Sequence, residues 1–257
     1  MHLGLRAADP DRPAGVLRDG DPAVETTPRD VLELPTLELG RALLGGWLIR
    51  DDGGTRRDGR IVEVEAYIGE DDQASHARFG RTARNTVMYG PPGIAYVYLV
   101  YGMHDCLNIV SEPIGRPAAL LVRAVEPVTG IDAMRTARAE RSVSRRRAAA
   151  GEDAAAGMSR AAAAAARLRS VPDLQLASGP ALVAAAFDLD RSLTGTDLFD
   201  PDSPVRVEPR AATEPEPRIV AGPRVGIAYA GPDWMERPWR LSIADHPSVS
   251  RPRPGTA

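Results

Sequence analysis

Two glutamates and a tyrosine occupy alternate positions of one apolar segment, residues 61–67 (Ile-Val-Glu-Val-Glu-Ala-Tyr). Alternate side chains of a β-strand point to the same side. The pattern therefore predicts two faces, one formed by Glu63, Glu65 and Tyr67 and an apolar one formed by Val62, Val64 and Ala66. A carboxylate fixed on a strand can act as a general base, but half-exposed strands often carry glutamates that are simply solvated.

Arg123 is the one charged residue in the apolar segment Ala118–Val125. A guanidinium inside such a strand needs an anionic or hydrogen-bonding partner, because burying an unpaired charge is costly. Two interpretations stay open. Arg123 forms a structural ion pair with any nearby carboxylate, or it faces Glu65 and helps to fix both that side chain and a water.

Three tyrosines fall in one stretch whose aromatic and β-branched residues are typical of a strand. Tyr96 and Tyr98 share a face, and a core position suits Tyr96, whereas Tyr98 and Tyr67 could sandwich a planar ring. Tyr101 stands with Met103 at a turn, where a tyrosine is hard to bury. An exposed aromatic side chain at a hairpin tip suits insertion into a stack of bases.

The remaining polar candidates are single residues. His76 lies in a polar loop, and no other histidine has metal-ligand spacing to it. Cys106 is the only cysteine, which excludes an internal disulfide and a multi-cysteine zinc site, and its apolar neighbours indicate a small buried residue. Asn108 is polar within an apolar strand, so it must hydrogen-bond a buried or bound group. Neither a metal nor a cofactor is predicted.

Strands and short helices must position these residues. The predicted strands are Trp47–Arg50, Arg60–Ile68, Ile94–Tyr101, Leu107–Ser111, Ala118–Val125, Arg224–Ala230 and Trp239–Ile243, and the predicted helices are Thr36–Leu44 and Ser178–Phe187. Short connections favour antiparallel pairing. The pattern predicts an α+β fold, a single domain built on a curved, mainly antiparallel β-sheet with peripheral helices and a protruding β-hairpin.

The composition divides the chain into segments. Residues 1–30 are rich in Pro, Asp, Gly and Arg and are predicted to be a disordered tail, and residues 251–257 a second tail. Residues 31–250 are predicted to form the domain. Within it, the Ala- and Arg-rich insertion 131–170 is expected to be flexible or an exposed helix outside the core.

Charge and hydropathy limit the classes of protein. The net charge of −3 argues against bulk attraction to nucleic acid, although all 32 basic residues are arginine and two zones, 74–125 and 135–169, are locally basic. No run of eighteen apolar residues exists, so no membrane span is predicted. The start of the chain is too polar for a signal peptide, and the expected location is the cytoplasm.

Six ordered segments of the chain resemble the alkyladenine (3-methyladenine) DNA glycosylase family, a type found in vertebrates and many bacteria. They are Arg60–Gly69, Ala74–Asn85, Gly93–Asn108, Ala118–Pro127, Leu176–Pro180 and Arg224–Ile227. The likeness runs in order through residues 34–250 and keeps the family's spacing in the first four segments. Six ordered segments are far more specific than any single motif.

The resemblance implies roles for individual residues. Glu65 looks like the base that activates a water, and Arg123 and the carbonyl of Val225 look like the groups that hold this water. The other matched positions are Tyr67, His76 and Tyr98 as walls of a flipped-base pocket, Asn108 as the residue that discriminates against guanine, and Tyr101 with Met103 as the wedge inserted into DNA.

Two features depart from the family pattern. The insertion 131–170 is longer and richer in Ala and Arg than usual. An acid, Asp105, stands near the wedge where the family commonly has an aromatic residue or a histidine, which predicts a weaker grip on DNA.

The function implied is that of a monomeric hydrolase acting on damaged purines in double-stranded DNA in the cytoplasm, at the nucleoid. It would flip out an alkylated or deaminated purine, hydrolyse the N-glycosidic bond and leave an abasic site. The chain contains no lysine, so a lyase step through a lysine Schiff base is excluded. Two alternatives stay open: a damage-binding protein with poor turnover, and a nucleoside hydrolase, which needs no wedge such as Tyr101.

Overall fold

A computed structural model describes residues 27–100, 102–150 and 163–250, and for residues 143–150 it describes the backbone alone. The strands are β1 Trp47–Asp51, β2 Arg56–Ile68, β3 Ala95–Val100, β4 His104–Ser111, β5 Ala118–Thr129, β6 Val205–Glu208, β7 Ile219–Gly222 and β8 Arg240–Ile243. The helices are α1 Thr36–Leu43, α2 Ile131–Ala150, α3 over residues 163–169, α4 Pro180–Ala186 and α5 Pro232–Met235.

The strands form one open sheet in which neighbouring strands are antiparallel. Its order is β3-β4-β5-β2-β1-β6, and β8 pairs with both β2 and β7. The long strand β2 lies against β5 on one edge, and on the other edge it lies first against β1 and then against β8. Its second half, which carries Glu63 and Glu65, is therefore hydrogen-bonded on both sides and held rigidly.

The main core lies on one face of this sheet. Leu39 and Leu43 of α1 and Val183 and Phe187 of the α4 region pack there against apolar side chains of β2, β4 and β5 such as Val64. Because this face is filled, the opposite face of β2 is left to carry the polar residues. In the described residues, no helix is long and apolar enough to cross a membrane.

The ladder between β2 and β5 is irregular beside Glu63. The pairs are Ile61 with Val125, Glu63 with Ala124, and Val64 with Val122. Val62 and Arg123 are thus each an extra residue in their strand, and such bulges re-aim side chains and increase twist. Val62 is fully buried but lies outside the apolar cluster that contains Ile61, Val64 and Ala66, whereas Glu63 and Glu65 share a face on which both contact Arg123.

The α+β class and the antiparallel sheet are confirmed, but one predicted strand is wrong and two short strands are missed. Residues 224–230 are not a strand, because a short 3-10 turn, Ala228–Ala230, follows an irregular segment there. The predicted strand Trp239–Ile243 is present as β8. Two strands, β6 and β7, are not predicted, because both lie in a Pro-rich stretch whose composition is typical of a loop. Sequence alone misses β6 and β7 because each has only four residues and is a strand through its hydrogen bonds to a distant partner, β1 for β6 and β8 for β7.

The predicted segment boundaries also need correction. Pro28–Glu33 forms a 3-10 helix whose Arg29 pairs with Asp197, so residues 28–30 belong to the folded part. Helix α2 is not outside the core, because Met134 is fully buried within it. Residues 1–26, 151–162 and 251–257, which hold most of the two predicted tails and part of the insertion, lie outside the described residues.

Candidate active site

Glu65 is fully buried and its carboxylate is held by three groups. The Tyr67 hydroxyl donates to Oε2 at 2.9 Å, the backbone N–H of Val225 donates to Oε1 at 2.7 Å, and Nη1 of Arg123 lies 3.2 Å from Oε1. The solvated interpretation of Glu65 is therefore wrong. The structure also shows that the predicted partner Val225 meets Glu65 through its N–H.

Glu63 has a separate set of partners. Its Oε1 accepts from Arg123 Nε at 3.2 Å and from Arg240 Nη1 at 3.1 Å, and its Oε2 accepts from the N–H of Ser250 at 2.8 Å. Arg123 also donates to Ser250 Oγ at 3.1 Å. Arg123 thus forms a structural ion pair with Glu63 and also faces Glu65, whereas its role in fixing a water stays a prediction.

The local environment raises the pKa of Glu65 above the usual 4.5. Burial is the largest cause, because it disfavours the charged form. The charge of Arg123 and the hydrogen bonds from the N–H of Val225 and the hydroxyl of Tyr67 oppose it. Burial also raises the pKa of Tyr67 well above 10, so that Tyr67 keeps its proton and remains a donor to Glu65.

A cavity of about 600 Å³ lies in front of this carboxylate. Glu65 is not itself a lining residue, but Tyr67, Arg123 and Val225, which all contact it, line the wall. The wall also includes His76, Tyr96, Tyr98 and Asn108. The structure therefore brings the predicted pocket residues together around one space, at a volume that fits a small planar ligand.

The aromatic side chains of this wall contact one another, with His76 edge to face against Tyr98 and Tyr96 tilted by 35° to Tyr98. The His76 and Tyr98 ring centres are 4.3 Å apart, and those of Tyr96 and Tyr98 are 5.4 Å apart. Nδ1 of His76 lies 2.8 Å from the Tyr96 hydroxyl. Burial, reinforced by the charges of Arg84 and Arg78, lowers the pKa of His76 to about 4, so the ring is neutral at neutral pH.

Asn108 is buried on β4 and donates from Nδ2 to the carbonyl of Tyr96 at 3.1 Å. This bond fixes the amide beside Tyr98 at the cavity wall. Cys106 is buried next to it, as predicted.

The hairpin between β3 and β4 carries the predicted wedge. Tyr101 lies outside the described residues, so its role stays a prediction, and Met103 is 54% exposed. Asp105, near the tip of this hairpin on β4, is largely buried and pairs with Arg141 of α2, whose Nη1 lies 3.2 Å from Oδ2. Asp105, the acid that departs from the family pattern, therefore has a structural role as the ion-pair partner of Arg141.

Sequence reasoning missed three residues that support the site: Asp72, Arg240 and Ser250. Asp72 binds Arg224 just before Val225, and Arg240 and Ser250 bind Glu63. Asp72 stands among other acids in a polar loop, and nothing in the sequence distinguishes it. Among the described residues, no group of three or more His, Cys, Asp or Glu side chains could hold a metal ion.

Comparison with known proteins gives a consistent result. The family model for methylpurine-DNA glycosylases matches residues 30–247. A protein of Methanocella arvoryzae is 42% identical over 228 residues, which cover 89% of this chain and 97% of the relative. For a protein of Anaeromyxobacter dehalogenans the identity is 40% over 222 residues, covering 86% and 84%. For one of Bacillus cereus it is 34% over 226 residues, covering 87% and 98%. All three are named, provisionally, as 3-methyladenine DNA glycosylases.

Proposed function

The chain belongs to the methylpurine-DNA glycosylase family, and from that premise we propose that it hydrolyses the N-glycosidic bond of alkylated or deaminated purines in double-stranded DNA. The names of its relatives support this activity. The observation that carries the proposal is the buried carboxylate of Glu65, held by Tyr67, Arg123 and the N–H of Val225 behind an aromatic-lined cavity.

The cavity is the place for the base after it leaves the duplex. A flipped purine stacks against Tyr67 and Tyr98, meets the edge of neutral His76, and has the fixed amide of Asn108 at its side. Alkylation that puts a positive charge on the purine adds attraction to the aromatic faces. Asn108 then crowds the exocyclic amine of normal guanine, which keeps that base out.

Hydrolysis then needs one proton acceptor and one negative charge. Glu65 takes a proton from a water whose oxygen forms a bond to C1′, while the C1′–N bond breaks and its electron pair leaves with the base. The carboxylate also stabilises the oxocarbenium-like transition state. Arg123 and the N–H of Val225 fix the carboxylate, and the carbonyl of Val225 is the proposed acceptor for the water's second hydrogen.

The base must be extruded before this chemistry can start. Tyr101 is the proposed wedge that fills the gap in the duplex, with Met103 beside it on the hairpin. The chain is proposed to act as a monomer, without a metal or cofactor, on DNA in the cytoplasm. Activity that EDTA abolishes and zinc or magnesium restores would contradict this mechanism.

The test is a glycosylase assay with the purified full chain. Duplexes that carry 3-methyladenine, ethenoadenine or hypoxanthine are incubated with the protein, and abasic sites are counted after alkaline cleavage. Abasic sites in a lesion duplex, and none in the undamaged duplex, are the expected result. Tight binding to a lesion without release of the base would point to a damage-binding protein. Cleavage of free nucleosides but not of duplexes would point to a nucleoside hydrolase.

A further inference from the structure

The loop between His76 and Asn85 projects side chains that the mechanism above does not use. Phe79 is 80% exposed, although phenylalanine is usually buried, and Arg81 and Arg84 are exposed beside it. Arg84 also lines the cavity, so the outer face of the loop is continuous with the cavity rim. We call the outer face formed by Arg78, Phe79, Arg81 and Arg84 the rim platform.

The backbone of the rim platform is fixed in place. The buried side chain of Asn85 donates to the carbonyls of His76 at 2.8 Å and Gly80 at 3.0 Å, and it accepts from the N–H of Thr82 at 2.6 Å. These three bonds tie both ends of the loop to one amide. The exposed ring of Phe79 is thus presented on a preorganised surface, which lowers the entropy cost of binding a partner.

Arg78 arranges the aromatic groups of this surface. Its guanidinium carbon lies 4.6 Å from the ring centre of Phe79 and 5.0 Å from that of Tyr229. Tyr229 is 62% exposed and lines the cavity. A row of alternating aromatic and cationic groups therefore leads from the outer loop to the mouth of the cavity, a combination typical of surfaces that bind an unpaired nucleic-acid strand.

The positive charge of the rim platform is not neutralised by neighbouring acids. Within the described part of the chain, no carboxylate lies within 4.0 Å of the guanidinium nitrogens of Arg78, Arg81 or Arg84. Arg81 instead donates from Nε to Thr86 Oγ1 at 2.7 Å. Other arginines, such as Arg57 and Arg60, are ion-paired. In a chain of net charge −3, this local surplus of positive charge is suited to binding phosphate groups.

We propose that the rim platform binds the DNA strand beside the extruded nucleotide, with Phe79 stacked on the neighbouring base and Arg81 on a backbone phosphate. This rests on the proposed function, because extrusion of a nucleotide removes one stacking partner of the neighbouring base. The two contacts have different signatures. A phosphate contact is independent of damage and depends on salt, whereas a stacking contact depends on an exposed base.

The test measures binding without turnover. A fluorescein-labelled duplex with a central tetrahydrofuran abasic analogue, and the same duplex undamaged, are titrated with protein and followed by anisotropy between about 50 and 200 mM salt. Arg81→Ala should weaken binding to both duplexes and lower the slope of log K against log salt by about 1. Phe79→Ala should keep this slope and weaken binding to the abasic duplex by roughly fivefold or more, with a smaller loss on the undamaged duplex.

Leu34→Ala and Arg41→Ala are the matched controls. Both residues are exposed near α1, which packs on the core face of the sheet, opposite Glu65. They should leave both duplexes unaffected. The proposal would be overturned if the folded Phe79→Ala and Arg81→Ala variants lost no more DNA affinity than these controls. The glycosylase function would remain intact. Polyglutamate binding with the same sensitivity to Phe79→Ala would assign the rim platform to an acidic protein instead. A wild-type chain that binds neither duplex would contradict the proposed function itself.

Discussion

Arg224 and Asp72 form a bidentate ion pair in the interior of the protein. Nη1 and Nη2 of Arg224 lie 2.6 and 2.8 Å from the two carboxylate oxygens of Asp72, and neither side chain is exposed. Nη1 also donates to the carbonyl of Ala66 at 2.9 Å. The pair ties the loop after β2 to the segment that presents the N–H of Val225 to Glu65, so it stabilises the site as well as the fold.

Asp72→Asn should destabilise the protein strongly, because it leaves the cationic Arg224 buried without its anion. Removal of one partner from a buried pair costs about 3–5 kcal/mol. Urea unfolding followed by circular dichroism measures the change. Asp245→Asn is the matched control, since Asp245 pairs with Arg218 on the surface, where both side chains are exposed, and it should leave stability unchanged. Equal effects of the two substitutions would contradict the structural role of the buried pair.

Tyr67→Phe should move the pH profile of cleavage. Ionised Glu65 is the proposed active form, so the rate should fall as the pH drops through its pKa, which burial raises above 4.5. The Tyr67 hydroxyl lowers that pKa by donating to Oε2. Its removal should therefore shift the acid limb of the single-turnover rate to higher pH.

Tyr96→Phe is the control for this shift, because the Tyr96 hydroxyl contacts His76 instead of Glu65. Its acid limb should coincide with that of the unmodified protein. An acid limb that stays in place in Tyr67→Phe would show that another group controls the profile.

His76 should make the fold less stable at mildly acidic pH. Its pKa is about 4 in the folded chain and about 6.5 in an unfolded chain, so between these values the unfolded state binds a proton that the folded state does not. Stability is therefore complete above pH 6.5 and is lost as the pH falls toward 4. Urea unfolding at about pH 7.5 and pH 5 should show a drop that is larger by about 2 kcal/mol in the unmodified protein than in His76→Gln. Identical drops would contradict the lowered pKa.

The sequence predicts which residues form the site better than it predicts the bulges and strand pairings that position them. Alternation places Glu65 and Tyr67 on one face, and an arginine in an apolar strand requires a carboxylate, so these contacts follow from residue type and spacing. The choice between Glu63 and Glu65 does not follow, because the bulges at Val62 and Arg123 and the late strand β8 determine which carboxylate meets Val225. The bulges and the position of β8 depend on pairing between distant segments of the chain.

Helix α2 shows a second limit of sequence reasoning. Its Ala- and Arg-rich composition gives little apolar periodicity, and the exposed or flexible prediction follows from that. Met134 is nevertheless buried in the core, and Arg138 and Arg141 donate to the carbonyls of Leu176 and Leu189. Long arginine side chains of α2 thus bind the backbone of neighbouring segments, which composition does not reveal.

Arg141 and Asp105 should be energetically coupled. Arg141 is largely buried between Asp105, the carbonyl of Leu189 and Asp188, so each partner loses a charged hydrogen bond when the other is removed. In a double-mutant cycle with Arg141→Ala and Asp105→Ala, the coupling energy should be about 1 kcal/mol or more.

The exposed pair Glu38 and Arg41 of α1 is the control cycle, and it should show almost no coupling. Additive effects of Arg141→Ala and Asp105→Ala would show that α2 does not brace the hairpin through this contact.

Glu65→Gln tests the central claim most directly. The amide keeps the shape of the carboxylate, but it cannot take a proton or stabilise a sugar cation. Single-turnover release of ethenoadenine from a duplex is measured beside binding to that duplex and beside thermal unfolding. Glu63→Gln is the comparison, since Glu63 lies on the same strand face but bonds Arg240 and Ser250, and it should cost stability more than rate. A folded Glu65→Gln chain that binds the lesion but cleaves at least roughly a hundredfold more slowly is the predicted result, and near-normal cleavage by that folded chain would contradict the assignment of Glu65 as the base.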